Sequence, residues 1–428
     1  MAALSTWAGT YTFTAPRIEN ATSVAEVQRV VSEAATARQR VRALGTRHSF
    51  NGLADTDGTL LTVTGIDPDP VLDEAEGTVT VGSGIRYGEL AVWLQAHGKA
   101  LHNMGSLPHI SVGGATATAT HGSGNRNGVL ATSVRALELV TADGSLLSVR
   151  QGDPDFDGLV VGLGAAGIAV RTTLAVEPTF QMRQDSFTGL PWDVALDDLE
   201  TVTGAAYSVS LFTDWLGDDI GLMIWKTRLE GGDTGGGVPD EWRGAHRLTG
   251  PETGLFGTSA DNHTVSGGIP GPWLERLPHF RLDSTPSVGD EIQTEYFVAR
   301  SDGPAALRAV RELGPRIAPH LHITELRTTT ADQLWLSGSY GRETLAIHFT
   351  WKPEPDAVQA LLPDIEAALA PFSARPHWGK VNSVDAATLA RVHPRLADAQ
   401  ALFERLDPDG RFSNDYLVAR GVRSGHLL

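Results

Sequence analysis

Between Asn103 and Gly124 the chain runs through glycines, alanines, serines and threonines, with scarcely any bulk and no Asp, Glu, Lys or Arg. A packed helix would use larger apolar side chains, and a plain linker would not carry Ile110 and Val112. The composition predicts backbone laid close against a flat, hydrogen-bonding ligand, because Gly and Ala permit close approach. A segment of the same kind stands earlier: Gly45-Thr46-Arg47-His48-Ser49-Phe50-Asn51, directly after the strand-like run Val41 to Leu44. Its turn offers several N–H groups that can converge on an anion such as a pyrophosphate. His48, at the tip, can reach whatever that anion is attached to. Alone, His48 reads equally as a solvated loop histidine capping a turn, and short Gly-rich matches are often false. Two such loops in one chain form a more specific signal than either alone.

A chain of 428 residues is long for one core and points to two domains. The net charge of −17 opposes nucleic acid and anionic membranes, which call for clustered Lys and Arg. It favours a neutral substrate over an anionic one. Zero cysteines exclude disulfides, thiolate metal sites and a cysteine nucleophile. Met1 to Pro16 has no basic start or unbroken apolar core, so no signal peptide is expected. No stretch approaches the roughly 20 apolar residues that span a bilayer. A cytoplasmic protein is the expectation.

The pattern is α+β. Ser23-x-x-Glu26 reads as a capping box, followed by Val24, Val27, Val30, Val31 and Ala34 at helical spacing. Strands are expected at Val41 to Leu44, Thr59 to Val63, Thr78 to Val81, Leu137 to Thr141 and Leu146 to Val149. A helix from Tyr87 to His97 should stop at Gly98, and Asp143-Gly144 is a hairpin signal. Further on, Ala206 to Asp214 and Glu291 to Val298 alternate as half-buried strands do. Between them lies a loop-rich excursion, Glu230 to Pro278, with the run Gly231 to Gly237. A helix at Pro304 to Leu313 precedes strands at His322 to Thr328 and Thr344 to Trp351. These textures divide the chain at 7–178, 179–371 and 372–428.

Two motifs are decoys. Gly162-Leu163-Gly164-Ala165-Ala166-Gly167 matches the dinucleotide fingerprint, but Ile168 to Val176 reads as a strand where a Rossmann site needs a helix. Asp55-Thr56-Asp57-Gly58 opens like a calcium loop, but Ile66 stands where the closing Glu belongs. The 14 histidines show no metal spacing, and no metal is expected.

Period-two geometry puts Glu325 and Arg327 on one face of a strand, and His348 and Thr350 on one face of another. With Leu326, Ile347 and Phe349 behind, such a face suits a polar pocket floor; an ordinary solvated face with a Glu–Arg pair is the bland alternative. The turn Arg375-Pro376-His377-Trp378-Gly379-Lys380 displays a lysine that is either part of that floor or a surface residue.

Together with Tyr207 to Trp215 and Pro270-Gly271-Pro272-Trp273-x-Glu275-Arg276-Leu277-Pro278-His279-Phe280, these segments resemble the bacterial alditol oxidases nearly end to end. Those enzymes are relatives of the aldonolactone oxidases among the vanillyl-alcohol-oxidase (PCMH-type) flavoproteins. The resemblance implies an FAD domain built from the first and third regions and a substrate cap with a large antiparallel sheet from the second. It implies FAD joined covalently through its 8α-methyl to His48. It places Leu44, Gly45, Thr46, Arg47, Ser49, Ser106, Ser111, Gly114, Thr118, Ala119, Thr120, His121, Val170, His377 and Lys380 at the cofactor. Ser106, Glu325, Arg327 and Thr350 would meet the hydroxyls of a linear polyol, with Lys380, Arg327, Glu325 and His348 as the catalytic set. Gly105, lacking a side chain, would leave O₂ a path to the flavin. The implied protein is a monomer whose partners are a small polyol and O₂, with an aldonolactone or sugar oxidase as the rival.

Overall fold

A computed structural model describes residues 4–66, 69–229, 237–248, 260–284 and 290–425; residues 231–236 of the glycine run fall outside them. The first helix spans Val24–Ala37. The Ser23 hydroxyl accepts from the Glu26 N–H at 3.2 Å, and Glu26 Oε2 reaches back to the Thr22 N–H at 2.6 Å. Such a cap is worth about 1 kcal/mol. Val27, Val30 and Val31 are buried, and each contributes about 1.5–3 kcal/mol. Packing rather than capping therefore holds this helix. It provides the crossover that parallel strands require, within a sheet ordered Arg17–Asn20, Thr59–Thr62, Val41–Leu44.

A second sheet is antiparallel, ordered Val71–Asp73, Thr78–Gly82, Ile168–Ala175, Val134–Val140, Leu146–Arg150. Its expected hairpin is present: Gly144 sits at φ 82° and its N–H donates to the Thr141 carbonyl at 2.9 Å. The helix Tyr87–Ala96 is followed by Gly98 at φ 69°. One expectation fails in an instructive way. The small-residue run does contain a helix, Val112–Ala117. A Cβ on Gly113 would stand 2.9 Å from Ser83 Cβ, and one on Gly45 would stand 2.5 Å from Ser111 Oγ. The helix is wedged against the strand end and the histidine loop, so only small residues fit.

The third sheet has ten strands among the described residues. Its central order is Gln181–Thr188, Leu222–Leu229, Ser208–Thr213, Leu321–Thr329, Thr344–Trp351, Ile292–Ala299, Arg375–Pro376. Ser208–Thr213 is buried throughout and Ile292–Ala299 nearly so, where the alternation predicted half-buried strands. The reason is that both faces are covered. Ala306, Leu307 and Val310 of the helix Gly303–Arg311 and Val358, Leu361 and Ile365 of the helix Pro355–Leu369 pack with Ile347, Phe349 and Trp351 on one face. The other face, carrying Gln293, Glu295, Glu325, Arg327, His348 and Thr350, meets the small-residue loops of the first half.

The last segment returns to the beginning. The helices Ala386–Val392, Leu396–Leu406 and Asp415–Ala419 were not foreseen. Leu389, Leu402, Phe403 and Leu417 join the core built on Val79, Leu90 and Leu130. Arg42 fastens the union, donating to the carbonyls of Leu53, Gly164 and Phe412 at 2.7 Å each and of Leu163 at 2.8 Å. Among the described residues no helix is long and apolar enough to cross a membrane.

Candidate active site

One continuous cleft runs from the histidine loop to the floor of the large sheet. At its first end Leu44, Gly45, Thr46, Arg47, His48 and Ser49 line the wall, with Ser111, Gly114, Thr118, Thr120 and His121 from the second loop. His48 Nδ1 lies 3.0 Å from Thr46 Oγ1, and the Ser111 N–H donates to that same hydroxyl at 3.0 Å. His48 Nε2 is buried and has no hydrogen-bond partner among the described residues. Burial, aided by the charge of Lys380, pushes the ring's pKa down to about 4, so the imidazole is neutral near pH 7 and keeps a nucleophilic lone pair. Trp7 stacks on it at 5.4 Å between centroids.

The sequence motif Gly162 to Gly167 is followed by the strand Ile168–Ala175, not by a helix, as expected. Yet Gly162, Leu163, Gly164, Ala166 and Gly167 line the same cleft, a contribution the sequence reading did not assign. Two of the residues expected at the cofactor do not line the cleft. Val170 does not line the cleft; it is fully buried and packs with Val27, Val30 and Phe412. Strand alternation explains this, because Ala169 takes the cleft-facing place. Ala119 is also absent from the wall. It holds φ 55° at the end of the small helix and its side chain is buried in the first core.

At the other end the large sheet supplies the floor. Glu325 stands opposite His348, and His348 opposite Glu295, so the three lie in a row across adjacent strands. Arg327 bridges them: Nη2 donates to Glu295 Oε1 at 3.0 Å, and Nε lies 3.6 Å from Glu325 Oε2. Nη1 donates to Ser106 Oγ at 3.2 Å and to the His121 carbonyl at 3.3 Å. Glu325 Oε1 also accepts from His279 Nε2 at 2.9 Å. Burial alone would raise the Glu325 pKa, but Arg327 and His279 override it and hold the carboxyl well below its usual range. His348 Nε2 is 3.1 Å from Thr350 Oγ1, and burial lowers its pKa more than the neighbouring Glu295 raises it.

Lys380 is half-buried, its Nζ 4.7 Å from the centroid of the Phe50 ring and hydrogen-bonded to Gln293 Oε1. Burial, together with the charge of Arg327, outweighs the pull of Glu295 and brings its pKa down to about 8. The turn that carries it is bolted to the histidine loop. Asn51 Nδ2 donates to the carbonyls of Trp378 at 3.0 Å and Lys380 at 2.8 Å, and the Phe50 N–H donates to Gly379 at 2.7 Å. His377 lines the cleft beside it, its Nδ1 accepting from the Gly379 N–H at 3.0 Å.

The structure thus brings Ser106, Glu325, Arg327, His348, Thr350, His377 and Lys380 together with both loops. Sequence reasoning missed Glu291, Gln293, Glu295 and His279 in the same wall. The first three sit at period-two spacing in Glu291 to Val298, a signal that was present but was read as half-buried alternation. His279 gave no local signal; its backbone N–H reaches the Ser106 carbonyl at 3.1 Å across the cleft. Gly105 also lines the cleft. It is not among the positive-φ glycines, and a Cβ there would meet Ile110 and Thr120 at an ordinary 3.5 and 3.6 Å. Neither backbone geometry nor steric crowding therefore demands glycine at this position.

Residues 16–150 match the model of the FAD binding domain and residues 290–420 that of the D-arabinono-1,4-lactone oxidase domain. The chain is 45% identical over 418 residues to an alditol oxidase of a Streptomyces species, covering 97% of this chain and 98% of that one. The chain belongs to the alditol oxidase family of FAD-binding flavoproteins. It is also 32% identical, over 96% of its length and 97% of the relative's, to the L-gulono-1,4-lactone dehydrogenase of Mycobacterium tuberculosis. Among solved structures, a solvent-stable cholesterol oxidase superposes with a TM-score of 0.79 at 17% identity, over 98% of this chain and 97% of that one. That likeness carries the fold: an FAD-binding half joined to a cap with a large antiparallel sheet.

Proposed function

We propose that the protein oxidises the terminal hydroxyl of an alditol such as xylitol or sorbitol to the aldose, reducing O₂ to H₂O₂. The observation that carries this reading is the junction of a cofactor-sized, small-residue cleft with a buried floor of hydroxyl-matching groups. The groups present suit FAD: small-residue turns for the phosphates and, for the ring, a half-buried neutral imidazole whose buried Nε2 has no partner among the described residues. In this reading Leu44 to Ser49, Ser111, Gly114, Thr118, Thr120, His121 and His377 hold the cofactor, and His48 carries it covalently. Bound FAD supplies a hydride acceptor that O₂ regenerates.

The chain's own residues handle the substrate. Lys380 Nζ, when neutral, takes the proton of the reacting hydroxyl. The Arg327 guanidinium faces the oxygen on which negative charge develops. Glu325 and Ser106 pair with successive hydroxyls, and Thr350, steadied by His348, takes another. A site that satisfies several hydroxyls rejects a deoxy analogue, because each orphaned buried partner costs about 1–3 kcal/mol. Gly105 leaves O₂ its approach. We further infer a monomer working in the cytoplasm, with the cap at 179–371 between the two parts of the FAD domain at 7–178 and 372–428.

A lactone oxidase is the second reading, favoured by the match at residues 290–420. Peroxide release measured across xylitol, sorbitol, mannitol, glycerol and L-gulono-1,4-lactone separates the two. Turnover of the lactone without turnover of any polyol would reverse the assignment. For the tether, the parent should keep its yellow colour in an acid-precipitated pellet and His48→Ala should lose it; a yellow His48→Ala pellet would place the bond elsewhere.

A further inference from the structure

Glu295 lies behind the residues assigned to the substrate. Its side chain is 2% exposed, and Oε1 accepts from Arg327 Nη2 and faces His121 Nε2, each at 3.0 Å. Oε2 lies 3.5 Å from His348 Nδ1. A carboxylate so enclosed, with a guanidinium on one side and an imidazole on the other, is costly to bury unless each partner is held in place.

The hydrogen-bond pattern of His121 is unlike that of its neighbours. Its Nδ1 is 2.8 Å from the Gly122 carbonyl, which can only accept, so this nitrogen carries a proton. Its Nε2 faces the Glu295 carboxyl, so a second proton lies between the ring and Glu295 Oε1. His377 differs: its Nδ1 accepts from Gly379 N–H and so bears no proton. His279 differs too, with Nε2 on Glu325 and no partner for Nδ1 among the described residues. Of these three imidazoles, His121 alone needs a proton at both nitrogens or a partner that brings one. The same residue's carbonyl accepts from Arg327 Nη1 at 3.3 Å. His121 and Glu295 therefore grip the guanidinium from two directions, leaving its Nη1 against Ser106 Oγ at 3.2 Å.

We propose that Glu295 and His121, sharing one proton, form a positioning pair that fixes the Arg327 guanidinium on the substrate side of the cleft. The inference rests on the reading of Arg327 as the group that faces the reacting oxygen. Toward the polyol both residues act through Arg327 and neither touches it; His121 also stands in the wall assigned to the cofactor, so flavin content is measured for its variants. The charged and titratable groups around Glu295 are Arg327 and Glu325 from Leu321–Thr329, His348 from Thr344–Trp351, and His377 and Lys380 from the turn after Arg375–Pro376. His121 comes from the second loop and Glu291 from its own segment. Of the three carboxylates Glu295, Glu291 and Glu325, Glu295 does most to favour a protonated Lys380.

The test is a double-mutant cycle on the flavin-loaded enzyme with xylitol, normalised to bound flavin by visible absorbance. Glu295→Gln should lower kcat on the order of 10- to 100-fold, the loss expected when a reacting group is misaimed by about 1 Å, with a smaller change in KM. Glu295→Gln added to Arg327→Lys should cost little beyond Arg327→Lys alone, because both act through one guanidinium. Losing the carboxylate should also shift the acid limb of the pH–rate profile to lower pH, as Lys380 gives up its proton more readily. A merely structural role would lower flavin content and stability without moving that limb. His121→Gln tests the same pair should Glu295→Gln not fold, and should show the same non-additivity with Arg327→Lys. Additive losses, or a kcat within twofold of the parent for either variant, would overturn the pair. If Arg327→Lys is crippled and Glu295→Gln is not, only this inference falls. If Arg327→Lys itself turns over normally, the reading of Arg327 falls with it.

Discussion

The two ends of the cleft are built on opposite principles. The loops at the first end of the cleft are rich in glycine, alanine and hydroxyl residues, and their shape comes from the close approach of neighbouring segments. The floor of the cap is made of charged and titratable side chains, nearly all buried, on strands whose backbone is already fully paired. A loop of small residues tolerates conservative change wherever no Cβ must fit. A row of buried charges does not, because removing one partner leaves another uncompensated, at about 3–5 kcal/mol. Function should therefore fail steeply when the floor is altered and gradually when the loops are.

Lys380→Met gives the sharpest break. It should reduce flavin bleaching by xylitol on the order of a thousandfold, the scale of a lost proton acceptor, while the flavin stays attached; unchanged bleaching in a stopped-flow trace would remove Lys380 from the chemistry. Arg327→Lys keeps the charge but loses the fork that spans Glu295 and Ser106. A loss on the order of a hundredfold in kcat is expected, and a normal kcat would show that the fork geometry is immaterial. The pH profile sharpens the same point. The proton acceptor must be neutral, so with Lys380 near 8 the rate of flavin reduction should rise with pH through about 8 and level off above it. Below that, it should fall about tenfold per unit. A flat profile from pH 6 to 9 would exclude a lysine of that pKa as acceptor. The smallest effect belongs to the loops. Gly105→Val should slow turnover with oxygen several-fold more than turnover with a dye acceptor, and equal slowing of both would close the case for a gas path.

That contrast also governs what could be read from the sequence. The histidine loop, the strand before it, the first helix and the Asp143-Gly144 hairpin were legible because each is set by local backbone chemistry. Glu325 with Arg327 and His348 with Thr350 were legible because period two fixes a face. Which face was covered, and by what, depends on residues far away, so Ser208–Thr213 and Ile292–Ala299 were expected half-exposed and are buried. The partners Gln293 and Glu295 became visible only once the register placed Glu295 beside His348. His279 and the Gly162 to Gly167 turn reach the cleft through tertiary packing, and Val170 leaves it for the same reason. The helix Val112–Ala117 was missed because wedging, not propensity, selects its residues.

The stitching of Asn51 and Phe50 to Trp378, Gly379 and Lys380 has a consequence for biosynthesis. The His48 loop emerges from the ribosome early and the turn that carries Lys380 very late. Until the final segment docks, the nascent cleft lacks one wall. Capture of the prosthetic group in its final setting must therefore follow translation, and truncation of the tail should yield an apoprotein instead of a weakened enzyme.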